Sequence, residues 1–364
     1  MIIENYYSDI LLAAWTLLYF FGGYLLLGKI PEKHNYDIYR RSSKILGVAL
    51  LFFGLQIFLQ WLFQFRSSAP HVAAALNLSC FYLEALLFGM SFISLLDRDY
   101  LTPKLVKTNS IKWSSFEVVL WSSVLFFEGT SRSVMLILLA LFFLADASRI
   151  ALLFFSTYHK ALKQMNNYYS DNVDGFVLWL SKSTYGIVFF GLIASVLAFA
   201  PKWIVALYTL LGIFMFIYIF SSFINYLVNY EQVKTAANIP LEEAHEDNNI
   251  TMSQIEKELN RWTEEERFKQ SGLTIEQLAT DIGTNRTYLS SYINSVYKCT
   301  FREWIVGLRI EAAKQILRSD RNISIVQLAE TVGFASSAHF SRLFSQHEGV
   351  APTRWRDNAV NEHT

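Results

Sequence analysis

The sequence has little charge for its length. Its 364 residues include 31 Lys and Arg and 31 Asp and Glu, so charged residues make up 17% of the chain, whereas soluble domains carry about 25%. The deficit lies almost wholly before about residue 230. The formal net charge of zero therefore describes neither half of the chain, and the two halves have to be read separately.

Cysteine is also scarce. The two cysteines, Cys80 and Cys299, lie in different regions, which excludes a disulfide framework and a cysteine metal site. We interpret both as reduced thiols without a chemical role. The first half contains no hydrolase, nucleotide or metal motif, so we predict that the protein is not an enzyme and uses no cofactor or metal.

Long apolar runs dominate the first half. Most reach the length of about 20 residues that a helix needs to cross a bilayer. A soluble core cannot explain so many of them, since each would need burial on every face. The first run is too long for a signal peptide, so we expect it to be retained. The segments are 10–28, 45–65, 72–96, 114–129, 133–156, 184–200 and 203–227. The fourth is short and contains Glu117.

The loops between these segments alternate between rich and poor in basic residues. This alternation fits seven crossings, with the N-terminus outside and the C-terminus in the cytoplasm. The rich loops carry Lys29, Lys33, Arg40, Arg41 and Lys44, then Arg98, Lys104, Lys107 and Lys112, then Lys160 and Lys163. The poor loops carry only Arg66, Arg132 and Lys202. We therefore predict a multi-pass protein of the bacterial inner membrane.

Some polar residues fall inside the predicted spans. Charge at that depth is costly and marks functional sites by default, so we take Glu84 and Asp146 as candidate sensing residues. Pairing with a neighbouring helix is the alternative for both. Gln56, Gln60 and Gln64 share one helix face, and we expect this stripe to hold helices together rather than to line a pore.

The composition changes after residue 228. Residues 229–252, with an acidic cluster and Pro240, read as a cytoplasmic linker, and residues 253–364 read as a soluble helical domain. In that domain Thr274 can cap a short helix, Gly283 permits a tight turn, and a second helix follows from Asn285. This helix-turn-helix plan recurs around Gly333.

Three stretches of this domain follow a known pattern: "LTIEQLATDIGTNRTYLSSYIN", "LRIEAAKQIL" and "VGFASSAHFSRLFSQHEGVAPTRWR". In these stretches the two units resemble the DNA-binding domain of AraC-family transcriptional regulators. From residue 267 to 356 there are twelve Lys or Arg against seven acids, the sign that DNA binding requires. Ser291 and Ser345 stand where the family usually has a basic residue, so we expect dimerisation or the membrane to strengthen binding.

The resemblance implies that the second helix of each unit enters a major groove. The implied readers in the first unit are Arg286, Thr287 and Ser290, and those in the second unit are Ser337, His339, Ser341 and Arg342. Arg354 and Arg356 would bind DNA phosphates. The implied partner is double-stranded promoter DNA.

The predicted fold class is all-α: a polytopic transmembrane bundle of about seven helices in residues 1–228, then a double helix-turn-helix domain. The predicted function is a membrane-embedded one-component transcriptional regulator whose membrane domain senses a signal. The expected partners are DNA, the lipid bilayer, a second copy of the chain, and a small molecule or membrane protein as signal. A transporter-like protein with a DNA-binding reporter tail and a passive membrane anchor are the two alternatives.

Overall fold

A computed structural model describes residues 2–30, 36–171, 174–196, 200–237, 252–320 and 322–361. These residues are almost entirely helical, which confirms the all-α prediction. In chain order the α-helices are α1 (Ile2–Leu27), α2 (Asp37–Phe63), α3 (Phe65–Ser68), α4 (Pro70–Leu96), α5 (Pro103–Phe126), α6 (Gly129–Tyr168), α7 (Asp174–Val196), α8 (Lys202–Ala237), α9 (Met252–Glu264), α10 (Ile275–Asp281), α11 (Arg286–Val296), α12 (Phe301–Ser319), α13 (Ile325–Thr331), α14 (Ser337–Glu348) and α15 (Pro352–Asn361).

The chain divides into two compact units. The first unit comprises Met1–Ala161 and Phe176–Asn238, and the second comprises Leu162–Gly175 and Ile239–Thr364. The second unit thus contains the end of α6 and the loop after it, in addition to the C-terminal helices. The predicted domain boundaries did not include this segment.

In the described part of the first unit, six helices are long and apolar enough to cross a membrane. They coincide with six of the seven predicted segments. Helix α6 has 40 residues, which corresponds to about 60 Å of helix, against a hydrocarbon core of about 30 Å. It can therefore cross a bilayer and extend well beyond it.

The fourth predicted segment is also helical, as part of α5, but α5 does not reach the apolar character of the other six. Its outer face is apolar, since Val118, Leu125 and Phe126 are 67%, 72% and 79% exposed. Its inner face packs between α4 and α6 through Phe116 and Leu120. The apolar outer face suits contact with lipid, while the polar residues lie mainly in its first half.

Asp146, one of the two candidate sensing residues, is a paired carboxylate. It accepts hydrogen bonds from Lys112 on α5 at 3.3 Å, from Arg149 one turn along α6 at 2.7 Å, and from the Tyr82 hydroxyl on α4 at 3.1 Å. Buried charges persist when they are paired in this way. The pairing alternative therefore holds for Asp146, which ties three helices together.

Glu84, the other candidate, has different surroundings. It is 8% exposed, and its carboxylate accepts a weak contact from the Cys80 thiol, 3.7 Å away on the same helix. Within the described residues it forms no ion pair. Gln56 and Gln60 on α2 both donate to the Asn77 side chain on α4, as the glutamine stripe predicts. Gln64 departs from the prediction, because α2 ends at Phe63 and Gln64 follows it in a left-handed conformation.

Most of the predicted linker, residues 238–251, lies outside the described residues. Helix α8 runs on from the last apolar segment to Ala237, with Tyr230 and Val233 buried. Helix α9 begins at Met252.

Candidate nucleic-acid interface

The first helix-turn-helix unit is set by short-range backbone chemistry. Thr274 and Gln277 form a capping box at the start of α10, and the Asn285 side chain caps α11 by accepting from the Tyr288 amide at 2.8 Å. Gly283 has φ +73 in the turn between them, a conformation that glycine adopts without strain. The predicted boundaries of this unit are confirmed.

The second helix-turn-helix unit, formed by α13 and α14, has the same caps and the same kind of turn. Ser324 and Gln327 form a capping box on α13, and the Ser336 hydroxyl accepts from the His339 amide at the start of α14. Gly333 has φ +92 in the turn, and Gly349 ends α14 in a left-handed conformation. Each N-cap satisfies amides that the first helical turn cannot pair internally.

Helix α12 joins the two units and provides their shared core. It packs against α11, α13, α14 and α15, and it buries Trp304, Ile305 and Ile310. Helix α9 adds Trp262, whose ring lies 6.1 Å from that of Trp304. The two units and α9 therefore belong to one packed domain.

The candidate readers of the first unit lie on the outer side of α11. Leu289, Tyr292 and Ile293 are buried, so residues offset from them around the helix face away from the core. Arg286 is the first residue of α11 and, like Thr287 and Ser290, is half-buried. The Ser290 hydroxyl already accepts from the Asn294 side chain at 3.3 Å.

The candidate readers of the second unit differ from one another in their surroundings. Arg342 is exposed, while Ser337, His339 and Ser341 are half-buried. A ring nitrogen of His339 lies 3.3 Å from the Arg302 guanidinium, so this imidazole is already engaged within the domain. Among these four residues Arg342 combines charge, reach and exposure, and it is the strongest candidate for a base contact.

The two proposed phosphate contacts separate in the same way. Arg354 is exposed near the start of α15. Arg356 is half-buried and donates to the Ile323 carbonyl at 3.2 Å. Because this bond already uses part of the Arg356 guanidinium, Arg354 is the better placed of the two for phosphate.

Two arginines that the sequence analysis did not single out prove central to this domain. Arg302 and Arg309 are seven residues apart on the buried side of α12, 8% and 0% exposed. Arg309 donates to the carbonyls of Phe268 and Gln270 and to the Asp171 carboxylate. Burial lowers the pKa of Arg309, and Asp171 partly offsets this effect. Two charges on one apolar helix face were the signal that could have revealed them.

Residues 166–171 belong to the same compact unit as the helix-turn-helix domain. Asn166 accepts from Arg302 at 3.0 Å, and the Tyr168 hydroxyl donates to Glu276 at 2.6 Å. The Ser170 amide donates to the Leu273 carbonyl at 2.9 Å. These contacts attach the end of α6 and its loop to α10 and α12.

Comparisons with known proteins agree with this geometry. A family model described as a helix-turn-helix domain matches residues 278–358. The probable transcription factor PqrA of Proteus vulgaris is 27% identical over 111 residues, which cover 30% of this chain and 89% of PqrA. The melibiose operon regulatory protein of Escherichia coli K12 is 32% identical over 91 residues, which cover 25% of this chain and 30% of that regulator.

Among solved structures, the C-terminal domain of AraT, a response regulator from Geobacillus stearothermophilus, shares 26% identity and covers 30% of this chain and 88% of its own, with a TM-score of 0.27. The structure shows two capped helix-turn-helix units around the central helix α12. The family model describes a helix-turn-helix domain, and the two relatives are a probable transcription factor and an operon regulatory protein. The C-terminal part of this chain is an AraC-type helix-turn-helix domain.

Proposed function

We propose that this protein is a membrane-embedded one-component transcriptional regulator. Its AraC-type domain binds promoter DNA in the cytoplasm, and its apolar helices lie in the inner membrane and sense a signal. The observation that carries the proposal is that the described residues of one chain include six helices fit to cross a bilayer and two complete helix-turn-helix units. A homodimer would place four such units on DNA and gain effective concentration without new contacts.

The base contacts assigned to Arg342 can be tested directly. The full chain in lipid nanodiscs would first select a duplex from random-sequence DNA, and its affinity would be measured at several salt concentrations. Arg342→Ala should lose about 1–3 kcal/mol of binding free energy at one base position, because a bidentate contact to guanine is worth that much. Specificity at that position should relax.

The matched control for this variant is Arg261→Ala. Arg261 is an exposed arginine on α9, paired with Glu265 on its own helix, and its removal should leave DNA affinity unchanged. If Arg342→Ala weakens binding equally on every sequence, Arg342 contacts phosphate instead of a base. If the full chain selects no duplex at all, the proposed function is wrong.

A further inference from the structure

The compact unit of Met1–Ala161 and Phe176–Asn238 contains a partly open cavity that the DNA-binding function does not use. Its volume is about 530 Å³, within the range of roughly 300–1,000 Å³ that small-molecule sites occupy. Helices α1, α2, α4, α6, α7 and α8 all contribute to its lining. A ligand held there would touch six helices at once, and it could therefore bias their packing.

The lining combines aromatic rings with one carboxylate. The rings include those of Phe53, Phe88, Phe143, Phe154, Phe190 and Phe216. Glu84 lines the same cavity and is more than nine-tenths buried, without an ion-pair partner among the described residues. Aromatic faces attract cations, and a buried carboxylate is stabilised by an opposite charge.

Arg66 is a basic residue of the lining, but it does not neutralise Glu84. Arg66 lies on α3, before the start of α4 at Pro70, and donates to the Ala200 carbonyl. Glu84 is fourteen residues further along α4, which corresponds to about 21 Å of helix. The cavity thus has a cationic side chain on α3 and, well along α4, an acidic side chain that forms no ion pair among the described residues.

We propose that this cavity binds a lipophilic organic cation, with the charge held by Glu84 and the apolar body packed among the phenylalanine rings. The proposal deepens the sensing role given above and rests on it for its biological meaning. Binding of the cation itself does not depend on the sensing role. An anionic ligand would place like charge against Glu84 and is disfavoured.

The probe for this test is tritium-labelled tetraphenylphosphonium, a lipophilic cation, with the full chain in nanodiscs. Tetraphenylborate has nearly the same size and shape with the opposite charge and serves as competitor. Saturable binding of the cation is expected, and Glu84→Gln should weaken it at least about tenfold, as the loss of one buried ion pair predicts. Tetraphenylborate should not compete.

The control variant is Glu117→Gln, because Glu117 is a carboxylate of the same unit that bonds to Trp121 and does not line the cavity. It should bind the cation as the unaltered chain does. Equal binding by Glu84→Gln, or equal competition by the anion, would overturn the proposal. DNA binding by the same sample is measured separately. Loss of cation binding with intact DNA binding would contradict the cavity proposal alone, and absence of DNA binding would contradict the proposed function.

A second, independent feature is the segment of residues 166–171, here called the docking segment. Besides the bonds from Asn166, Tyr168 and Ser170 already described, both oxygens of Asp171 are used, by Arg309 at 3.1 Å and by the Gly272 amide at 2.9 Å. Tyr169 and Thr274 form a β-bridge. So many specific contacts identify a defined docking site.

The docking segment lies beside elements that DNA would approach. It contacts Thr274 and Glu276 at the start of α10. Helix α10 is the first helix of the first helix-turn-helix unit, and in helix-turn-helix proteins that helix crosses the DNA backbone. Asn166 bonds to Arg302, whose guanidinium also contacts the candidate reader His339.

We infer that the docking segment competes with DNA for the helix-turn-helix domain, so that its release raises DNA affinity. The inference rests on the proposed DNA binding. Helix α6 gives it a route to the signal, because this one helix carries the cavity residues Phe143 and Phe154 as well as Tyr168. A ligand that shifts α6 would then strain or relax the docking contacts.

Two mild substitutions in the full chain test this inference. Tyr168→Phe removes only the hydroxyl that bonds to Glu276, and Asn166→Ala removes the amide that bonds to Arg302. Each should raise affinity for the selected duplex by about two- to tenfold, the range that corresponds to one hydrogen bond. Tyr185→Phe, at an exposed tyrosine of α7, should leave affinity unchanged.

Hydrogen exchange gives a second readout. The Ser170 amide is protected by its bond to Leu273, and its exchange should accelerate when the selected duplex is added. Unchanged or lower affinity in both variants, or unchanged exchange at Ser170, would mean that the segment supports the domain rather than competing with DNA. If no duplex is selected in the first place, the proposed function fails rather than this inference.

Discussion

Replacing Gly333 by alanine is expected to destabilise the second helix-turn-helix unit severely. At φ +92 an added Cβ would lie 2.3 Å from the Lys269 carbonyl oxygen, with further backbone atoms of that residue at 2.7 Å and 3.0 Å. Both Gly333 and Lys269 meet through backbone atoms, so neither can move aside as a flexible side chain would. Left-handed strain of about 1–2 kcal/mol adds to about 1–3 kcal/mol for forced displacement, so the total loss should be about 2–5 kcal/mol.

The matched control is the equivalent glycine of the first unit. Gly283 has φ +73, but nothing lies within 4 Å of its added Cβ. Gly283→Ala should therefore cost only the backbone strain of about 1–2 kcal/mol. Hydrogen-exchange protection of amides in α10, α11, α13 and α14 of the full chain would measure both free energies of opening. Equal losses in the two variants would show that the contact with Lys269 does not matter.

Replacing Arg309 by methionine is the second change with a large expected effect. Arg309 is fully buried, and its removal leaves the carbonyls of Phe268 and Gln270 without donors and the Asp171 carboxylate without its cation. The Phe334 ring also loses a cation 5.5 Å from its centre. Removing one partner of a buried pair costs about 3–5 kcal/mol, and we expect a loss of that size.

Two further variants separate charge from geometry at this site. Arg309→Lys keeps the charge but lacks the planar fork that serves three acceptors, so its loss should be intermediate. The double variant Arg309→Met with Asp171→Asn should lose less than the sum of the single variants, since the two side chains interact directly. Strict additivity of unfolding free energies would contradict the assigned ion pair.

Short-range features of this protein follow from the sequence. The capping residues Thr274 and Asn285 and the turn glycines Gly283 and Gly333 act on backbone groups within a few residues, so their roles are legible in the chain itself. The apolar runs predict long helices because each run must satisfy its backbone internally. The resemblance to one regulatory family likewise rests on motifs that are contiguous in sequence.

Long-range pairing was decided only by the tertiary structure. Asp146 and Glu84 look equivalent in sequence, yet packing gives Asp146 two cations and leaves Glu84 in an aromatic cavity. Arg309 and Asp171 are 138 residues apart, so no local pattern links them. A buried charge takes its partner from whichever element the fold brings within a few ångströms, and this proximity depends on packing rather than on neighbours in sequence.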